Sequence, residues 1–276
     1  MTVRFWGVRG SLAAPGRSTL GTGGNTSCIE VSCGGETVIF DGGTGLRPLG
    51  AHLFDGADGR PVRASLFLSH YHWDHISGLP FFQPAYDPRA QLDVYGATRL
   101  GRTVRQILSG QMVDPYFPIT MGDMPARFRF LSVQDEGLVH VGPATIRAAE
   151  LNHPGGALGF RVECGGKAMV YATDFEHGTD ADERLIDLAR GADLLVFDAQ
   201  YTPAEYAARG AASRKGWGHS TYAVGAQMAR RAGARRLALY HHAPERGDAE
   251  IAQLAKLAKK AHPGAFAARE GLALEL

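Results

Sequence analysis

The stretch Ser69-His70-Tyr71-His72-Trp73-Asp74-His75 places three imidazoles and a carboxylate within a few positions of one another. Neutral imidazole nitrogen and carboxylate oxygen are the common donors to zinc-like cations. The i, i+2 spacing of His70 and His72 lets both rings reach one cation, while Asp74 and His75, just beyond, can turn toward a second. Three more donors follow apolar runs further along the chain: His153, Asp174 and His241. Two divalent cations held by three nitrogens and one oxygen, and by two nitrogens and two oxygens, use all seven side chains, with Asp174 bridging. That donor set suits zinc, with manganese and iron as alternatives. Two cations sharing a carboxylate and a hydroxide carry out hydrolysis, by attack of the hydroxide on an electrophilic centre.

The elements that position these residues follow from hydrophobic periodicity. The apolar run 64–68 reads as a buried strand ending at the histidine cluster, and α/β sheets collect functional groups at such ends. Further strands are expected at 2–6, 28–32, 37–40, 92–95, 128–133, 137–141, 144–150, 159–163, 167–172, 194–198, 235–240 and 272–276. Helices are expected over 98–110, 182–190, near 203–208, and over 222–232 and 249–261. Pro80 interrupts any helix that begins after the cluster. Asp41 closes the 37–40 strand; it is either a plain turn residue or an acceptor that orients a ligand histidine. His219 sits just before the 222–232 helix, with Ser220 or Thr221 as N-cap. His242, next to His241, is a candidate contact to a ligand residue or to substrate. His52, His140, His177 and His262 have no matching partners and read as surface or structural residues.

Residues 111–126 follow no period and carry three prolines, three methionines and two aromatics. They read either as a cover over the core or as a lid or partner-facing surface, since Met and aromatic side chains suit adaptable contacts. Substrate choice is expected to lie in 80–126 and in the 200–217 loop, and the Met/Pro/aromatic stretch makes a homodimer a candidate assembly. Composition is that of a globular chain: 45% hydrophobic, 21% charged, net charge +1. No long-range field draws such a chain to polyanions. No apolar run is long enough to cross a bilayer, and the N-terminus lacks the apolar stretch of a secretory leader, so no membrane association and a cytoplasmic location are expected. Cys28, Cys33 and Cys164 suit neither a disulfide framework nor a thiolate zinc site.

Taken together, His70-x-His72-x-Asp74-His75, followed by His153, Asp174 and His241, resembles the signature of the metallo-β-lactamase superfamily. The resemblance covers nearly the whole chain. It implies one α/β domain over 1–276, a four-layer αββα sandwich of two similar halves, roughly 1–150 and 151–276, with the metals at one edge. An Asp at position 174 is unlike the true β-lactamases, which commonly use Cys there. Gly218-His219-Ser220-Thr221, with His241 some twenty residues on, resembles the phosphodiesterase branch that includes ribonuclease Z and the cyclic-phosphate phosphodiesterase of the carbon–phosphorus lyase pathway. By that likeness His219 faces the scissile phosphate as donor or general acid; simple helix capping is the alternative. Asp74 is then a ligand that could also take the proton of the hydroxide.

The chain departs from ribonuclease Z in having His241-His242-Ala243-Pro244 where that enzyme has His-Phe-Ser, and no Gly/Pro-rich basic arm is evident. A small cyclic or diester phosphate is therefore the expected substrate, and structured RNA is not expected. A thioesterase, lactonase or lactamase would use the same ligands, and a non-catalytic metal-binding sensor is the reading from a different class.

Overall fold

The computed structural model describes residues 1–209 and 213–276. Part of the 200–217 loop, residues 210–212, therefore lies outside the described residues. Six strands open the chain: β1 (Thr2–Gly7), β2 (Cys28–Cys33), β3 (Glu36–Phe40), β4 (Arg63–Phe67), β5 (Gln91–Gly96) and β6 (Arg127–Ser132). Seven follow: β7 (Leu138–Val141), β8 (Ala144–Leu151), β9 (Ala157–Cys164), β10 (Lys167–Ala172), β11 (Leu194–Asp198), β12 (Arg236–Tyr240) and β13 (Ala265–Ala267). The last strand, β14 (Ala273–Glu275), returns to pair with β1. The helices are α1 (Leu46–Gly56), α2 (Trp73–Ile76), α3 (Val104–Gly110), α4 (Ala181–Leu188), α5 (Pro203–Tyr206), α6 (Tyr222–Ala232) and α7 (Asp248–Ala261).

Two seven-stranded sheets result, in the orders β14-β1-β2-β3-β4-β5-β6 and β13-β12-β11-β10-β9-β8-β7. Each is antiparallel on one side and parallel on the other, the change falling at β3/β4 and at β10/β11. The facing surfaces of the sheets form a core centred on Phe40, Phe67 and Phe160, whose ring centroids lie 5.5–5.8 Å apart. Burying each such ring contributes about 1.5–3 kcal/mol. The outer face of the first sheet packs on α1 and α3, that of the second on α4, α6 and α7. Helix, sheet, sheet and helix thus make the four-layer α/β sandwich that the motif implied.

Local departures have physical causes. Helix α1 has no counterpart among the helices expected above; its Pro48 lies in the first helical turn, where a missing N–H costs nothing. The helix expected from 98 begins at Val104. Residues 99–102 instead make a turn with Leu100 and Gly101 at positive φ, and Thr103 and Gln106 form a capping box. Within 111–126, Met112, Met121 and Met124 are buried against the first sheet's helices while Tyr116 is exposed. The expectation that the three cysteines do not suit a disulfide framework is corrected by one bond. Cys33 at the end of β2 and Cys164 at the end of β9 are bonded across the two sheets, with Cα atoms 6.6 Å apart. Their adjacency is a product of sheet stacking and is invisible at a sequence separation of 131. No helix among the described residues is long and apolar enough to cross a membrane.

Candidate metal centre

The ends of four strands converge at one edge of the sandwich. β4 delivers His70, His72 and the one-turn helix α2 with Asp74 and His75; β8 leads to His153, β10 to Asp174 and β12 to His241. All but His72 are buried. Asp174 and His241 leave their strands with φ of 57°, and Asp41 leaves β3 with φ of 59°. Left-handed backbone at non-glycine residues is uncommon and gathers at functional sites, where packing holds the strain.

Three donor groups form at Asp174 and its neighbours: besides the two that follow, Asp174, Asp198, His219 and His241 also present atoms within 4.8 Å of one another. His70, His72, His153 and Asp174 present atoms within 4.8 Å of one another, as do Asp74, His75 and His241. Asp174 Oδ1 faces the first group, 3.7 Å from both His70 Nε2 and His153 Nε2. Its Oδ2 faces the second, 3.2 Å from His75 Nε2 and 3.3 Å from His241 Nε2. Asp74 Oδ2 is 3.2 Å from the same two nitrogens.

These residues fit a pair of cations. A tetrahedral ion with ligands at about 2.0–2.1 Å sets its donors about 3.3 Å apart. The buried nitrogens His70 Nε2 and His75 Nε2 have no hydrogen-bond partner among the described residues. Burial and the neighbouring His75 push the His70 imidazole well below its usual range, so it is neutral. Asp74 and Asp174 are ionised: burial pushes their carboxyls up, but the imidazoles of His75 and His241 outweigh it and hold both well below the usual range.

The remaining ring nitrogens are fixed from behind. Asp41 is fully buried and its Oδ2 lies 2.7 Å from His75 Nδ1. The same carboxylate accepts from the Ser69 N–H, the Ser69 hydroxyl and the Tyr171 hydroxyl, each at 2.7 Å. His153 Nδ1 donates to Gly218 O at 2.8 Å. The Ser11 N–H donates to Asp74 Oδ2 at 2.6 Å. Gly10, beside it, passes so close that an added Cβ would overlap the His241 ring.

His219 is brought to the same centre. Its Nδ1 lies 2.8 Å from Asp198 Oδ2 and 3.8 Å from Asp174 Oδ1. Burial pushes its pKa down, but Asp198 first, then Asp174 and Asp74, raise it to about 9. With Nδ1 on Asp198, the other ring nitrogen remains for the cavity of about 490 Å³ that His219 lines with Tyr201, Arg214 and Trp217. A second cavity of about 280 Å³ opens beside His70, His72, Arg99 and Arg102. The capping residue of α6 is Thr221, whose side chain accepts from Val224 N, so His219 is not used as a cap.

His242 does not join the cluster. It is buried with Nε2 3.0 Å from Ala268 O, and burial lowers its pKa to about 3. Asp198, Ser69, Tyr171 and Glu176 had been given no role from sequence. Asp198 carried the signal that found Asp174, a carboxylate closing a buried strand. Glu176 accepts from Gly216 N, Gly218 N and the Tyr206 hydroxyl, and so holds the loop that carries His219.

Comparisons with known proteins bear on the fold and the family. A Ribonuclease Z of Pyrococcus furiosus is 24% identical, over 86% of this chain and 89% of its own. The metallo-beta-lactamase fold protein YhfI of Bacillus subtilis superposes with a TM-score of 0.72 at 21% identity, covering 100% of this chain and 98% of that one. A diphosphatase of the PhnP family superposes with a TM-score of 0.71 at 19% identity, over 100% and 96%. The relative named Ribonuclease Z overturns the expectation that structured RNA is not a partner. That expectation rested on the departure at His241-His242-Ala243-Pro244 and a missing arm. Net charge averages the whole surface, whereas Arg99, Arg102 and Arg214 line the two cavities at the metal centre. The family model for the beta-lactamase superfamily domain matches residues 36–242, so the chain belongs to that superfamily and is a metal-dependent hydrolase.

Proposed function

We propose that the chain is a phosphodiester hydrolase, acting on RNA or on small cyclic or linear diesters at a pair of divalent cations. The observation that carries this reading is the buried Asp198–His219 pair beside Asp174. Diester cleavage expels an alkoxide, which needs a proton. His219, whose Nδ1 is held by the Asp198 carboxylate, supplies it.

His70, His72 and His153 would hold one cation, Asp74, His75 and His241 the other, with Asp174 between them. Zinc fits the nitrogen-rich donor set. When bound, the cations supply Lewis acidity, acidifying water and neutralising charge on phosphoryl oxygens. The chain's own groups do the rest. Asp198 fixes the His219 ring, and the second ring nitrogen hands its proton to the leaving oxygen. Asp74, pinned by the Ser11 N–H at Oδ2, serves as a ligand. Asp41 keeps the His75 tautomer with its free nitrogen toward the centre.

The test is a substrate panel with metal-loaded protein: a 3′-extended transfer RNA, cyclic nucleotides, bis(p-nitrophenyl) phosphate, a thioester, a lactone and a cephalosporin. Turnover of at least one phosphodiester above all the acyl substrates is expected. Preferential cleavage of the thioester, lactone or lactam would refute it.

A further inference from the structure

At the other end of β4, β5 and β6 the alternation of side chains breaks its own rule. Phe67 and Tyr95 point into the inter-sheet core, so the positions two and four residues earlier on each strand face the same way. Those positions hold Arg63 and Ser65 on β4, Gln91 and Asp93 on β5, while the matching β6 positions hold Arg127 and Arg129. Strand register aligns them in two rows, Arg63–Gln91–Arg127 and Ser65–Asp93–Arg129. Where an apolar core would continue, the sheets instead part into a solvent-open cavity of about 520 Å³. From Arg63 to His70 is seven residues of extended chain, roughly 20 Å, so this cavity is separate from the metal centre.

The charges in it do not cancel. Arg129 is committed to Asp93 through two N–H contacts. Arg63 and Arg127 make no side-chain hydrogen bond or ion pair among the described residues, and the one other carboxylate in the lining is Glu36. The Ser65 hydroxyl, on a residue only 6% exposed, also forms no hydrogen bond among the described residues. The lining is thus rich in donors and poor in acceptors. Two guanidiniums two strands apart stand about 10 Å from backbone to backbone, close enough for both forks to reach one small anion.

We propose that this cavity is a second binding site, for a small phosphate-bearing anion, with Arg63 and Arg127 as its clamps and Ser65 and Gln91 as neutral donors. Free phosphate and a nucleoside monophosphate share the recognised group and differ only in what fills the remaining volume. The test is calorimetric titration of the metal-loaded protein with inorganic phosphate and with 5′-AMP, compared with the Arg63→Gln/Arg127→Gln double variant. Both arginines are exposed strand residues, and an unchanged melting temperature verifies that the variant folds. The expected result is loss of one binding event, or its weakening by about tenfold or more, with diester turnover unchanged. Tighter binding of 5′-AMP than of phosphate assigns a nucleotide, and equal binding assigns free phosphate. Superimposable isotherms for the two proteins, or loss of turnover together with binding, overturn the proposal.

Discussion

His219 and Asp198 form a buried pair, Nδ1 to Oδ2 at 2.8 Å, and the ring stacks on His241 with centroids 5.0 Å apart. On the proposed reading an imidazole so placed is a proton donor beside the cations and not one of their ligands. Replacing His219 by Ala should therefore leave metal content intact and lower turnover of an alkyl or ribose diester by about two orders of magnitude. With a p-nitrophenyl leaving group, which departs without a proton, the loss should be much smaller. Equal losses on both substrates would remove His219 as the acid.

Asp41 gathers four donors at 2.7 Å in a fully buried position. Asp41→Asn replaces one acceptor oxygen by an NH₂ group that faces N–H and O–H donors. Removing a buried charge from such a hub costs about 3 kcal/mol, and losing a carboxylate behind a ligand histidine weakens metal binding about 10–100-fold. Chelator competition and thermal melting measure the two effects. Unaltered metal affinity would show that Asp41 does not orient His75.

Gly10 is required by close approach to the His241 ring. A methyl group there displaces the ring from Asp74 and Asp174, so Gly10→Ala should reduce bound metal from two equivalents toward one. Elemental analysis reads this directly, and full occupancy in a correctly folded variant would contradict the assignment of His241.

Glu176 acts through the loop it holds. Gly218 gives its N–H to Glu176 at 2.8 Å and its carbonyl to His153 at 2.8 Å, so one carboxylate steadies both a ligand histidine and the neighbour of His219. Glu176→Gln should lower kcat about tenfold on alkyl diesters while also weakening metal affinity, because two groups lose position together. A change confined to KM would place the loop in substrate binding alone.

One stability effect is pH-linked and lies far from the metals. Burial pushes the Asp193 carboxyl up, but the Ala168 N–H and the charges of Lys167 and Arg235 outweigh it and hold it below the usual range. A depressed pKa contributes stability that is complete above the unfolded value, about 3.9, and is lost as pH falls through the folded value. Asp193→Asn should thus lower the melting temperature at pH 7, with the deficit shrinking below pH of about 4. A deficit independent of pH would mean that the charge is not what matters.

Much of this centre is legible because its donors share one local signature: His70, His153, Asp174 and His241 each follow an apolar run, and strand ends are where such sheets expose side chains. What supports them is not legible. Asp41 meets Tyr171 across 130 residues, Ser11 meets Asp74 across 63, and Cys33 meets Cys164 across 131. These contacts arise only when two sheets stack, and no periodicity records them. Helix α1, Leu46–Gly56, was not among the expected helices, and its Pro48 sits in the first turn, where the helix tolerates it. RNA was set aside on the His241-His242-Ala243-Pro244 departure and a missing arm, and neither records that Arg99, Arg102 and Arg214 line the cavities at the metal centre.

The central claim is that two cations at one shared carboxylate cleave a phosphodiester. Its most direct test is phosphodiesterase turnover of metal-stripped protein, followed as zinc is added back. Turnover that climbs to a plateau at two equivalents per chain is the predicted result. A plateau at one equivalent, or no phosphodiester cleavage at saturating metal, would contradict the account.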